Sequence, residues 1–119
     1  MLIGGSKGAE LALSLASREP KIRGVVVLVP GDGVFAGLTD ALTTSSWTWR
    51  NEPLPFLPVP WNVTGDLIAD NLRAVFAASR SALPEHPDAA IAVENINWPI
   101  LFVSAKKDEM WPSREMSDA

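Results

Sequence analysis

Two short apolar runs stand out along this chain, and both are continuous rather than alternating. They are Gly24-Val25-Val26-Val27-Leu28-Val29 and Ile100-Leu101-Phe102-Val103-Ser104. A continuous run of this length, rich in β-branched residues, is the pattern of a parallel strand buried on both faces. A shorter stub, Met1-Leu2-Ile3, can be the end of another strand. A glycine-rich turn and then a small, apolar stretch follow it. Glu10 and Glu19 make that stretch amphipathic, so Lys7 to Arg18 reads as a helix packed against a sheet. Thr64 or Asp66 can start a second helix. Leu67, Ile68, Leu72, Val75 and Phe76 fall on one stripe of it, and it ends near Leu83-Pro84. Strand–helix–strand–excursion–helix–strand is the order of an α/β fold with a parallel sheet.

The excursion is the irregular part. Pro30-Gly31-Asp32-Gly33 ends the first long run with turn residues. From Phe35 to Trp61 no period is visible, and the stretch holds Trp47, Trp49 and Trp61 among several prolines. Loops of this length in compact domains are usually functional or disordered. The chain therefore reads as a fragment of one domain in three parts. Residues 1–34 carry a turn, helix and strand. Residues 35–63 form an irregular, cap-like excursion. Residues 64–119 carry a helix, a strand and an acidic loop.

Composition narrows the function. Apolar residues make up 47% of 119, which is ordinary for a globular chain and argues against disorder. A net charge of −4 with no basic stripe argues against a nucleic-acid partner. Cysteine is absent, which excludes disulfides and thiolate metal sites. No apolar run reaches the ~18 residues of a membrane span, and no signal-peptide pattern opens the chain. The expectation is a cytoplasmic protein with no metal and no cofactor. Oligomeric state is not legible.

The candidate chemistry begins at Gly4-Gly5-Ser6-Lys7-Gly8, which has the form G-x-S-x-G. Between a strand and a helix, that pattern makes a sharp turn that exposes the serine oxygen at the top of a sheet. Gly4 and Gly8 stand where the two backbones approach closely. The plain alternative is a glycine-rich turn with Ser6 as an N-cap, its hydroxyl bonding the first free N–H groups. The second candidate is Asp108, in Ser104-Ala105-Lys106-Lys107-Asp108-Glu109-Met110-Trp111-Pro112. That loop follows a parallel-type strand at its C-terminal end, where open α/β sheets build their sites. Ser6 follows its own strand at the same edge, two strand positions away. The order Ser, then Asp, then His is that of the α/β-hydrolase triad. The alternative for Asp108 is a solvated turn shared with Lys106 and Lys107.

The joint pattern resembles a known family. Ile3-Gly4-Gly5-Ser6-Lys7-Gly8-Ala9-Glu10-Leu11-Ala12-Leu13, Ser45-Ser46-Trp47-Thr48-Trp49-Arg50 with Pro53-Leu54-Pro55, Pro99-Ile100-Leu101 and Asp108-Glu109-Met110-Trp111-Pro112-Ser113 occur in that order. They look like the C-terminal catalytic domain of acyl-CoA thioesterases and bile acid-CoA:amino acid N-acyltransferases. The resemblance implies Ser6 as nucleophile, Asp108 as triad acid and the Lys7 backbone N–H as an oxyanion-hole donor. It implies an acyl-CoA thioester substrate. It also implies that acyltransferase members typically use cysteine, so a serine favours hydrolysis.

Departures from the family pattern matter as much. The family histidine follows the acid by some tens of residues, whereas His86, in Pro84-Glu85-His86-Pro87, precedes Asp108. A helix-to-strand connector is expected at the far edge of the sheet. The family's N-terminal β-sandwich, its early strands and its second oxyanion donor have no counterpart here. The expectation is a partial α/β-hydrolase fold, early strands and C-terminal His segment missing, inactive on its own. Another serine esterase or peptidase, or an acyl-CoA:amino acid N-acyltransferase, stays open, as does a non-enzymatic remnant or interaction fragment. The Trp47 to Trp61 excursion is either an acyl-chain pocket wall or a cap packed by its own aromatics.

Overall fold

β1 (Leu2–Gly5), β2 (Val25–Leu28) and β5 (Ile100–Val103) pair into a parallel sheet in the order β1-β2-β5. The computed structural model describes residues 1–39, 42–60, 72–108 and 112–118. The parallel pairing agrees with the sequence pattern, the first run losing Gly24 and Val29 at its ends and the second losing Ser104. Leu2, Ile3, Gly4 and Gly5 oppose Val25, Val26, Val27 and Leu28. These in turn oppose Ile100, Leu101, Phe102 and Val103. The register puts the C-terminal ends of all three strands at one edge.

Helix α1 (Lys7–Ala16) packs on β1 and β2. Its buried residues are Ala9, Glu10, Ala12, Leu13, Ser14 and Ala16. The run of small side chains lets the helix lie close to the strands. It stops two residues short of the expected Arg18, and its end is satisfied locally. Ser17 Oγ and Arg18 Nη1 both donate to Ser14 O, at 2.9 and 2.8 Å. The connector back to the sheet is pinned by Trp98, whose indole N–H donates to Pro20 O at 3.2 Å.

One expectation is corrected here. The continuous runs predict strands buried on both faces, but one face is open. Val25 and Val27 are buried, whereas Ile3 (66%), Leu101 (58%), Val103 (44%) and Leu28 (43%) are exposed. Strand side chains alternate between faces. Ile3, Val26 and Leu101 therefore share one row, and Gly5, Leu28 and Val103 share the next on the same face. Helix α1 covers the opposite face over β1 and β2; on β5 that face is open too, with Phe102 39% exposed.

The chain divides into two compact units. The sheet unit comprises Met1–Asp32, Ile91–Lys106 and Ser113–Ala119, with a short helix α3 (Ser113–Ser117). The second comprises Gly33–Ala90 and Lys107–Pro112. In it a two-residue antiparallel pair, β3 (Thr48–Trp49) and β4 (Glu52–Pro53), turns through Arg50 and Asn51 at φ 50° and 68°. Two successive positive φ values are the requirement of a type I′ hairpin turn. Its core holds Phe35 and Leu57, 1% and 0% exposed, with Val34, Ala36, Leu54 and Val75. Phe35 meets Phe76 edge to face at 5.4 Å on helix α2 (Leu72–Arg80). The expected helix start, with Leu67 and Ile68, lies outside the described residues. Past Arg80 the chain tightens, Ala82 N and Leu83 N donating to Ser79 O and Arg80 O three residues back. Among the described residues no helix is long and apolar enough to cross a membrane.

Candidate functional site

Ser6 leaves the sheet at the end of β1 with φ 53° and ψ −121°. Positive φ costs an L-residue steric strain, and such strain gathers at functional turns. Hydrogen bonds on both sides hold the conformation. Ser6 N donates to Leu28 O at 2.9 Å, which continues the β1–β2 ladder. Ser6 O accepts from Ala9 N and Glu10 N at 3.0 and 3.2 Å, which starts the helix. The side chain makes no capping bond. The N-cap alternative requires that bond, so the turn leaves the Ser6 hydroxyl free of a helix-capping task.

Gly4 makes the turn sterically possible. A β-carbon there would overlap the carbonyl group of Gly8 and come 2.8 Å from Ala9 N. Gly8 departs from the expectation that both glycines are crowded. A β-carbon on Gly8 would meet nothing within 4 Å. The close approach is made by the α-carbon of Gly4 against the backbone of Gly8, so only Gly4 needs to lack a side chain.

Lys7 and Glu10 lock the first helical turn. Lys7 Nζ donates to both carboxylate oxygens of Glu10, at 3.0 and 2.9 Å. The Glu10 side chain is fully buried and that of Lys7 is 20% exposed. Burial pushes the Lys7 ammonium below its usual 10.5, and the Glu10 charge and hydrogen bond act against that shift. A carboxylate in the first turn also suits the positive end of the helix dipole. The sequence pattern places Glu10 on the polar face of an amphipathic helix. Its burial becomes legible only once Lys7, three residues earlier, is seen to reach it.

No sequence signal singles out Val29. It lies one residue past Leu28, as Ser6 lies one residue past Gly5, and its φ is 47°. Its N–H donates to Val103 O at 2.6 Å. Two neighbouring strands thus end in left-handed residues at one level. No described glycine has positive φ, although Gly31 and Gly33 follow within four residues.

Ser6, Lys7, Val29 and Ser104 all belong to the sheet unit and lie at or just past the strands' C-terminal edge. Asp108, five residues past Val103, is half-buried and groups with the second unit. His86 also groups with that unit, in the turn between α2 and a 3-10 turn at Pro87–Ala89. Among the described residues no group of His, Cys, Asp and Glu is placed to hold a metal ion.

The excursion and helix α2 line a partly open apolar pocket of about 30 Å³, with Phe35, Leu42, Val59, Val75, Phe76 and Ser79 among its walls. Trp47 and Trp49 are not among its lining residues, and Trp61 lies outside the described residues.

Set beside known families, the chain matches one described as BAAT / acyl-CoA thioester hydrolase C terminal, over residues 1–119. Comparison with curated proteins and with solved structures gave no significant match.

Proposed function

Because this chain belongs to the BAAT / acyl-CoA thioester hydrolase C-terminal family, we propose that it carries the nucleophile of an acyl-CoA thioester hydrolase of α/β-hydrolase fold. At family level the function is of acyl-CoA thioesterase or acyltransferase type. One observation carries the finer reading. Ser6 is a non-glycine residue held at φ 53° between β1 and α1, with no capping bond to account for it. A strained strand-to-helix turn that frees a serine hydroxyl is the geometry of a nucleophile elbow.

In this reading the Ser6 hydroxyl gives its proton to a histidine as its oxygen attacks the thioester carbonyl. By the resemblance, the family's histidine comes after the acid, whose place Asp108 takes and which holds the imidazole's tautomer; the 119 residues carry one histidine, His86, before Asp108. The Lys7 N–H stabilises the developing oxyanion, as the residue after the nucleophile does in this fold. The C–S bond then breaks, and CoA thiolate leaves with the proton returned by the imidazolium. Water, deprotonated by the same histidine, hydrolyses the acyl-enzyme to the free acid.

The test is release of free CoA thiol from long-chain acyl-CoA by the full-length protein. Ser6→Ala is expected to reduce turnover by about 10³-fold or more. Turnover that survives Ser6→Ala would falsify the assignment.

A further inference from the structure

Among the described residues, Val29 is the one at the sheet edge whose conformation the proposed chemistry leaves unexplained. For a β-branched residue φ 47° is a genuine outlier. Glycine would take the same backbone without steric penalty. Core burial does not account for the valine, because Val29 is only half-buried. The ladder also fixes where it lies. Gly5 and Leu28 are in register, and Ser6 N donates to Leu28 O at 2.9 Å. Ser6 and Val29 are the next residues along, so their α-carbons lie about one inter-strand spacing apart, about 4.8 Å. A branched side chain is thus kept, against its backbone preference, one strand away from the proposed nucleophile.

We propose that Val29 is a specificity-determining residue of the Ser6 site, its side chain walling the space beside the nucleophile and limiting branching at the acyl carbon next to the carbonyl. The inference rests on the reading of Ser6 as nucleophile. The acyl group that reacts with Ser6 must bring its carbonyl carbon within bonding distance of Oγ. On this proposal its next carbon meets the Val29 side chain. A straight chain passes such a wall, whereas a methyl branch at that carbon meets it. The substrate class is therefore unbranched acyl groups.

The experiment compares p-nitrophenyl butanoate with p-nitrophenyl 2-methylpropanoate, which have equal carbon counts, on the full-length protein. Activated esters report acylation of Ser6 whether or not CoA thioesters are the natural substrates. Val29→Ala and Val29→Gly are expected to raise the branched-to-linear ratio of kcat/KM by about tenfold, the usual scale for one methyl group in a pocket. Val29→Leu is expected to lower it. Melting temperatures should be unchanged or higher for Val29→Gly, since that backbone suits glycine. A residue that only held the fold would change both esters together and leave the ratio where it was. An unchanged ratio in Val29→Ala and Val29→Gly, with hydrolysis still dependent on Ser6, overturns the inference and leaves the nucleophile standing. If Ser6→Ala cleaves both esters as well as the natural protein does, the nucleophile falls and this inference falls with it.

Discussion

The α-carbon of Gly4 lies so close to the carbonyl of Gly8 that no β-carbon fits between them. The two glycines of the elbow are therefore unequal, and their substitutions should differ in sign. Gly4→Ala forces backbone apart and is expected to cost about 3 kcal/mol, the upper range for overpacking. Gly8 is the second residue of α1 with open space at its β-position. Gly8→Ala should stabilise by about 0.5–1 kcal/mol, the helix-propensity difference. Chemical denaturation of the two variants checks the pair. Equal losses would mean that both positions are crowded.

Ser6 separates stability from activity. The hydroxyl caps nothing, so Ser6→Ala should leave stability within about 0.5 kcal/mol, the usual range away from special contacts. A true N-cap would lose about 1 kcal/mol. Ser6→Gly relieves the positive φ and should raise the melting temperature while abolishing turnover. Melting curves and thiol-release assays on the same preparations provide the comparison.

The Lys7–Glu10 pair should behave as a buried ion pair. Glu10→Ala removes the buried carboxylate to which Lys7 Nζ donates and is expected to cost about 2–3 kcal/mol. Replacing both partners, Lys7→Met with Glu10→Leu, should recover most of that loss. A double-mutant cycle measures the coupling. If the double variant is no better than Glu10→Ala alone, the pair is not what holds the turn.

The pH dependence follows from the direction of the Lys7 shift. Its pKa is lowered in the folded chain, so above the folded value the unfolded chain binds more protons. Stability from this group therefore rises with pH up to 10.5, and below the window both states are charged. The gap in unfolding free energy between the natural chain and Lys7→Met should shift toward the natural chain as pH climbs to 10.5. The opposite slope would mean that Glu10's attraction outweighs desolvation.

The open sheet face bears on behaviour in solution. Ile3, Leu28, Leu101 and Val103 form a contiguous apolar face, and such faces promote association. The protein is expected to self-associate through this face. Ile3→Thr with Leu101→Thr should shift the sedimentation profile toward monomer. A chain that is monomeric without these changes would show that the face is covered in solution.

Local pattern alone determined the strands, their parallel order and the first helix. The continuous runs at 25–28 and 100–103 cannot be amphipathic helices, and a β–α–β order leaves few topologies open. G-x-S-x-G also announced a sharp turn at Ser6 between a strand and a helix, and the structure has that turn, at φ 53°. The tertiary structure decided what depends on contacts between segments distant in sequence or on backbone dihedrals. The open face of the sheet was not legible, because a run of valines looks the same with one cover or two. Nor was the inequality of Gly4 and Gly8, since a glycine carries no mark of which neighbour crowds it. The buried Lys7–Glu10 pair depended on how α1 is rotated against β1 and β2. Val29 was hidden most completely. Its sequence continues a strand, and only the ladder to Leu28 and Val103 shows that the chain turns left-handed there, beside Ser6.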